Sequence, residues 1–171
     1  MSRSIQKAAV ILTQRSASKI SKSRPLRGQV ALITGATRGI GLAIAHALAA
    51  QGCHLILTGR DESRLAGISR EVASAGIQIL AHPLDVRDPH SVDALLRCAR
   101  RKFQRVDILI NNAGIAHANL PVEKLPLPVW KDVLATNLDG MFLVTQAALA
   151  VMKRGGTIVN NLSIAANRVF A

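Results

Sequence analysis

Short, wholly apolar runs alternate along this chain with longer stretches in which apolar residues return every three or four positions. Gln29 to Thr34 (QVALIT) is a run of the first kind. A glycine cluster follows it, and then Ile40, Ala43, Ile44, Ala47 and Leu48 recur at helical spacing, so the segment reads strand, turn, helix. The unit repeats. Cys53 to Thr58 predicts a second strand, and Asp61 to Ala75 a second helix with Leu65, Ile68 and Val72 on one face. Ile77 to Leu84 predicts a third strand, and Pro89 to Phe103 a third helix with Val92, Leu95 and Leu96 inward. Val106 to Asn111 predicts the fourth strand, about Pro128 to Lys153 one long helix, and Gly156 to Asn161 the fifth strand. Strands that are apolar throughout must be covered on both faces, so the alternation predicts an α/β protein with a parallel sheet flanked by helices.

With 171 residues, of which 49% are apolar, the chain has material for one core and too little for two ordinary domains. The pattern places that domain at 28–171. Residues 1–27 differ in kind: they are Ser-rich, hold seven basic residues and no acid, and end in Arg24-Pro25-Leu26-Arg27, which reads as a linker. A mitochondrial transit peptide has this composition; a disordered extension, or a start codon set too far upstream, would look the same. The cytoplasm is the expected location, with the mitochondrial matrix as the alternative if the segment is a leader.

The formal charge of +12 would suggest a nucleic-acid partner, but removing those seven cations from the 22 leaves 15 against 10 acids. The body is only mildly basic, and no nucleic acid is expected as a partner. Cys53 and Cys98 fit no metal or disulfide spacing, so no metal site is expected. No apolar run reaches the roughly 18 residues of a membrane span.

Candidate chemistry begins at Thr34-Gly-Ala-Thr-Arg-Gly-Ile-Gly41, where the first strand gives way to the first helix. Glycines there let the backbone approach a pyrophosphate, and the helix start offers unpaired N–H groups and the positive end of its dipole. A tight turn alone would also favour glycine. The spacing TGxxxGIG differs from GxGxxG and resembles the signature of the classical short-chain dehydrogenase/reductase family. That resemblance implies a Rossmann-type doubly wound sheet and places Thr34, Gly35, Arg38, Gly39, Ile40 and Gly41 around a nicotinamide dinucleotide.

In such folds an acid at the end of the second strand binds the ribose 2′-hydroxyl and repels a 2′-phosphate. Here that place falls near Gly59, followed by Arg60, and Arg38 lies in the turn, so NADP(H) is favoured over NAD(H). Asp61 is close by, but its place before a helical run suits a cap. Either arginine could instead be merely solvated.

The resemblance carries further. Asp85 and Val86 match the residues that contact adenine, although Asp85 would also suit the turn into Arg87-Asp88-Pro89. Asn111-Asn-Ala-Gly114 matches the family's NNAG, which implies that Asn111, Ala113 and Gly114 steady the central sheet and pass the cofactor ribose. Asn137 matches the asparagine that accompanies a distorted helix and holds a relay water, and Ser163 the catalytic serine, with Leu162 where the family usually has a first serine.

The family's reaction is hydride transfer between nicotinamide and a small carbonyl or alcohol substrate, a 3-oxoacyl thioester or something similar, with a tyrosine handling the proton and a lysine four residues later lowering its pKa. That YxxxK motif would begin about thirteen residues after Ser163, beyond Ala171, and the chain contains no Tyr at all. His46, His54, His82, His90 and His117 form no partnering pattern. The expectation is therefore a front portion, truncated after the fifth strand and inactive by itself, with an exposed sheet edge and an exposed apolar face on the long helix. The full-length form is expected to be a homodimer or homotetramer. An inert dinucleotide-binding or partner-binding remnant is the alternative.

Overall fold

A computed structural model describes residues 25–73, 76–116 and 120–163 of the chain. The basic segment up to residue 24, the predicted last residues of the second helix and His117 lie outside them. Five parallel strands run through the centre: β1 (Val30–Ile33), β2 (His54–Gly59), β3 (Ile79–Pro83), β4 (Val106–Asn111) and β5 (Met152–Asn160). Their order is β3-β2-β1-β4-β5, so the chain works outward from β1 to β3 and then crosses back to place β4 on the other side of β1. In a doubly wound sheet that reversal leaves a crevice at the carboxyl ends of β1 and β4, where ligands bind. The predicted α/β architecture is the observed one.

Side chains alternate across the sheet and build two core layers. Val30, Leu32, Ile56 and Leu109 face α3 (Pro89–Phe103) and α5 (Gly140–Leu149) through Val92, Leu95, Val144 and Ala148. Ala31, Ile33, Leu55, Leu57 and Ile110 face α1 (Gly39–Ala50) and α2 (Glu62–Val72) through Ala45, Ala49, Leu65, Ile68 and Val72. At β1 both faces are sealed, with Val30 to Ile33 all at or below 2% exposure, which is why a four-residue strand needs no polar position.

Helix starts follow their capping chemistry. The Asp61 carboxylate accepts the Arg64 amide (3.0 Å), as its place before a helical run suggests, and Asp88 accepts the His90 amide (2.9 Å) ahead of Pro89. The last turn of α3 carries Arg100, Arg101 and Lys102 against the negative end of its dipole. A buried tie closes the opposite end of the sheet from the crevice: Asp107 accepts the Val30 amide (2.9 Å) and the Nε of Arg105 (3.0 Å), fixing β1 to β4 where each begins.

Three predicted details differ from the structure. The buried stripe of α1 is Gly41, Ala45 and Ala49, while Ile40 is 61% exposed, because a helix apolar on nearly every face gives the sequence no phase to read. Small residues on that seam let α1 lie close to β1. The long helix is not continuous, its distortion falling at Asn137 as the resemblance implied: α4 (Leu127–Leu134) passes through one wide π turn at Ala135–Asp139 into α5. It also ends at Leu149, and β5 begins at Met152. There the register slips between Val106 and Ile108 of β4, and Gly155 (φ +86°) takes up the extra length, so β5 starts earlier than its apolar run.

Trp130, Leu134, Leu138, Phe142 and Leu149 on α4, the π turn and α5 are exposed, as are Ile158 and Val159 on the outermost strand β5. Both exposed surfaces anticipated from the sequence are present.

Candidate cofactor cleft

At the carboxyl ends of the strands lies a cleft of about 430 Å³, a size suited to a small-molecule ligand. Its walls come from the glycine turn, from Thr58 to Arg60 after β2, from Leu84 to Arg87 after β3, and from Asn112 to Ile115 after β4, with Thr136 and Asn161 closing one end. A second cavity of about 210 Å³ shares the Asn112 to Gly114 wall and is lined further by Thr34, Asn111, Asn137 and Ser163. The sequence-predicted residues thus fall into two groups. Gly35, Arg38, Gly39, Ile40, Arg60, Asp85, Val86, Ala113 and Gly114 line the larger cleft; Thr34, Asn111, Asn137 and Ser163 line only the smaller one. Gly41 lines neither, being buried beneath the turn it supports.

Each turn glycine answers to a different constraint. Gly35 (φ +65°) and Gly39 (φ +55°) occupy the left-handed region that side chains resist. A β-carbon on Gly41 would sit 2.3 Å from the Gly35 carbonyl oxygen and 2.5 Å from Nδ2 of Asn112. Around Gly39, by contrast, a β-carbon would meet nothing within 4 Å, because that position opens on the cleft. The α1 amides that begin here lack intrahelical acceptors, no side chain caps them, and no acid stands in the first turn. A cradle that is open at Gly39, positively polarised and flanked by Arg38 fits the phosphates of a dinucleotide.

The turn is held from below. Thr34 Oγ1 donates to the Ile110 carbonyl (3.3 Å) and accepts the amides of Asn112 and Ala113 (both 2.9 Å). Asn112 Nδ2 donates to the carbonyls of Thr34 (3.0 Å) and Gly35 (3.1 Å), while its Oδ1 accepts from Asn161 Nδ2 (2.8 Å). Asn111 faces the other way: its Nδ2 reaches Thr145 and Asn160 (2.9 Å each), and its buried Oδ1 has no partner among the described residues. Thr34 and Asn111 thus spend their side chains on neighbouring chain and not on the larger cleft. Asn137 sits in the π turn with its amide clamped on Ile115, accepting its N–H and donating to its carbonyl at 2.8 Å each. Ser163 is exposed at the rim of the smaller cavity.

Charge in the larger cleft is mostly positive. Arg38 and Arg60 are exposed on its wall, and at Gly59, which lines it too, an added β-carbon would lie 2.6 Å from Cγ2 of Thr37, so a side chain there would require the Thr37 side chain to shift. Asp85 is the wall's one carboxylate among the described residues. Hydrogen bonds from Arg87 hold its carboxyl below the usual range against an opposing push from burial, and Arg60 adds to the lowering. Arg87, Thr37, Asn112 and Asn161 were not singled out from the sequence. Only Asn112 carried a signal there, as the second letter of NNAG; the others matter through partners distant in the chain.

Fold and site together define an α/β protein of the doubly wound class with a cleft at the carboxyl ends of its strands. The short chain dehydrogenase family pattern matches residues 29–171. The chain is 40% identical over 134 residues to the 3-oxoacyl-[acyl-carrier-protein] reductase FabG of Escherichia coli K12, an alignment covering 77% of this chain and 53% of that protein. It is 39% identical over 137 residues to D-beta-hydroxybutyrate dehydrogenase of Cupriavidus necator, covering 79% and 53%. A short-chain dehydrogenase/reductase structure from Serratia marcescens superimposes with a TM-score of 0.80 at 35% identity, over 85% of this chain and 59% of that one. The chain belongs to the short-chain dehydrogenase/reductase family, and it spans about half the length of the curated relatives it matches. Among its described residues no helix is long and apolar enough to cross a membrane.

Proposed function

We propose that this chain forms the NADP(H)-binding part of a reductase or dehydrogenase acting on a small carbonyl or alcohol substrate, of the 3-oxoacyl thioester kind or similar. The observation that carries the reading is the open glycine turn at Gly35 to Gly41, with Arg38 in it, sharing one cleft with Gly59 and Arg60. When bound, the dinucleotide supplies hydride to a carbonyl carbon or takes it from an alcohol. The first-turn amides of α1 hold the pyrophosphate, Arg38 and Arg60 grip a 2′-phosphate by charge-assisted hydrogen bonds, and Asp85 and Val86 border the adenine. Ala113 and Gly114 pass the ribose. Ser163 donates to the substrate oxygen from the adjoining cavity, and Asn137 keeps the loop after β4 in place for both.

None of the 171 positions is a tyrosine, and the reading for these residues is confined to cofactor binding and substrate positioning. The names of the two relatives, a 3-oxoacyl reductase and a D-beta-hydroxybutyrate dehydrogenase, support acyl substrates with oxygen at the third carbon. The exposed apolar face of α4 and α5 supports a homodimer or homotetramer for the whole protein.

Fluorescence titration of the full chain with NADPH and NADH tests the reading. NADPH is expected to bind about tenfold or more tightly, and the double substitution Arg38→Ala with Arg60→Ala to weaken NADPH by about 10- to 100-fold while leaving NADH within about threefold. Equal loss for both dinucleotides would show that the arginines do not read the 2′-phosphate.

A further inference from the structure

Arg87 occupies a junction that the phosphate-binding scheme does not use. Its Nε donates to Oδ1 (3.0 Å) and Oδ2 (3.2 Å) of Asp85, its second terminal nitrogen donates to Oδ2 (2.7 Å), and its backbone amide adds a bond to Oδ1 (3.0 Å). The first terminal nitrogen reaches Asp132 on α4. One guanidinium fork therefore neutralises Asp85 and fastens the loop after β3 to the helix leading into the π turn.

The consequence lies across the cleft. Asp85 and Arg60 line the same wall, and the charge of Arg60 is felt at the Asp85 carboxyl. An Asp85 stripped of Arg87 would be a bare carboxylate on the cleft wall, competing for Arg60 and opposing any added phosphate. We infer that Arg87 determines the preference for a 2′-phosphorylated dinucleotide indirectly, by occupying Asp85 so that Arg60 remains available and the wall remains positive. This rests on the NADP(H) reading above and deepens it.

The prediction concerns the ratio of two affinities, which a general loosening of the loop would not move. In the full chain, Arg87→Gln is expected to weaken NADPH by about tenfold and NADH by less than about twofold. Adding Asp85→Asn to Arg87→Gln should return the ratio to the wild-type value, because the carboxylate that needed neutralising is gone. Asp132→Ala, which breaks the tie to α4 but leaves the Asp85 pair, should leave the ratio unchanged. Adenosine 2′,5′-bisphosphate against adenosine 5′-monophosphate, titrated in parallel, reads the 2′-phosphate without the nicotinamide half and should give the same pattern.

Equal loss of both dinucleotides in Arg87→Gln, or failure of Asp85→Asn to restore the ratio, would overturn the inference while leaving NADP(H) preference standing. Lack of NADPH preference in the unaltered chain would overturn the underlying reading, a distinct result. Should Arg87→Gln melt early, Asp85→Asn alone still decides: it must keep or raise the NADPH preference, and a lowered preference contradicts the account.

Discussion

Replacing Gly41 with alanine should cost this chain about 100-fold or more in NADPH affinity. The new methyl would stand 2.3 Å from the carbonyl oxygen of Gly35 and 2.5 Å from the side-chain nitrogen of Asn112, distances no packed carbon tolerates. Neither neighbour can retreat cheaply. The Gly35 carbonyl already accepts from Asn112, and Asn112 is held at its other end by Asn161. Relief has to come from α1 moving off the turn, which takes its unpaired amides away from the cleft. Overpacking of this kind costs about 1–3 kcal/mol in stability, and a displacement of the phosphate cradle adds to it in binding. Calorimetric titration with NADPH, with a thermal melt of the same sample, separates the two. A melting temperature lowered by only a few degrees with binding lost is the expected pattern; undiminished affinity would mean that close packing under the turn is irrelevant to the site.

Asn112→Ala should have the next largest effect. It deletes the bonds to the Thr34 and Gly35 carbonyls and leaves the Asn161 amide without its acceptor, three interactions worth about 0.5–1.5 kcal/mol each in net terms. Part of that appears as stability and part as a loosened turn, so NADPH affinity should fall about 10- to 100-fold with a simultaneous drop in melting temperature. Asn112→Asp makes the argument sharper. A carboxylate can still accept from Asn161 but cannot donate to two carbonyls, so it should behave nearly as badly as alanine. Recovery of wild-type binding in Asn112→Asp would show that those two donated bonds do not matter.

What the sequence disclosed depends on where each feature keeps its partners. The strands β1, β2 and β4 were legible because burial on both faces leaves an uninterrupted apolar run, as in Leu55 to Leu57. Helix α3 was legible in face as well as extent, since charged residues interrupt Val92, Leu95, Leu96 and Ala99 at the right intervals. Helix α1 disclosed its existence but not its orientation, being apolar on almost every side. The glycine turn was legible because its constraint is local, a backbone geometry written in consecutive residues.

Arg87, Asn112 and Asn161 were not, because their roles arise across the fold: Arg87 meets Asp132 at 45 residues' distance, Asn112 meets Gly35 at 77 and Asn161 meets Asn112 at 49. The π turn was implied only by the resemblance at Asn137 and not by periodicity, for a related reason. It is fixed by Asn137 reaching Ile115 and by the close approach of Gly140 to Val86, where a β-carbon would lie 2.5 Å from Cγ2, and neither contact leaves a periodic trace in the chain.

The central claim is that the backbone between Gly35 and Gly41, together with the strand end at Asn112 to Ile115, is the surface that receives a nicotinamide dinucleotide. Hydrogen exchange of the full chain, followed by mass spectrometry with and without saturating NADPH, addresses it peptide by peptide. The account predicts slowed exchange in peptides covering 35–41 and 112–115, with little change in α2 and the middle of α3. Exchange at 35–41 unaltered by NADPH, or protection confined to other elements, would contradict it.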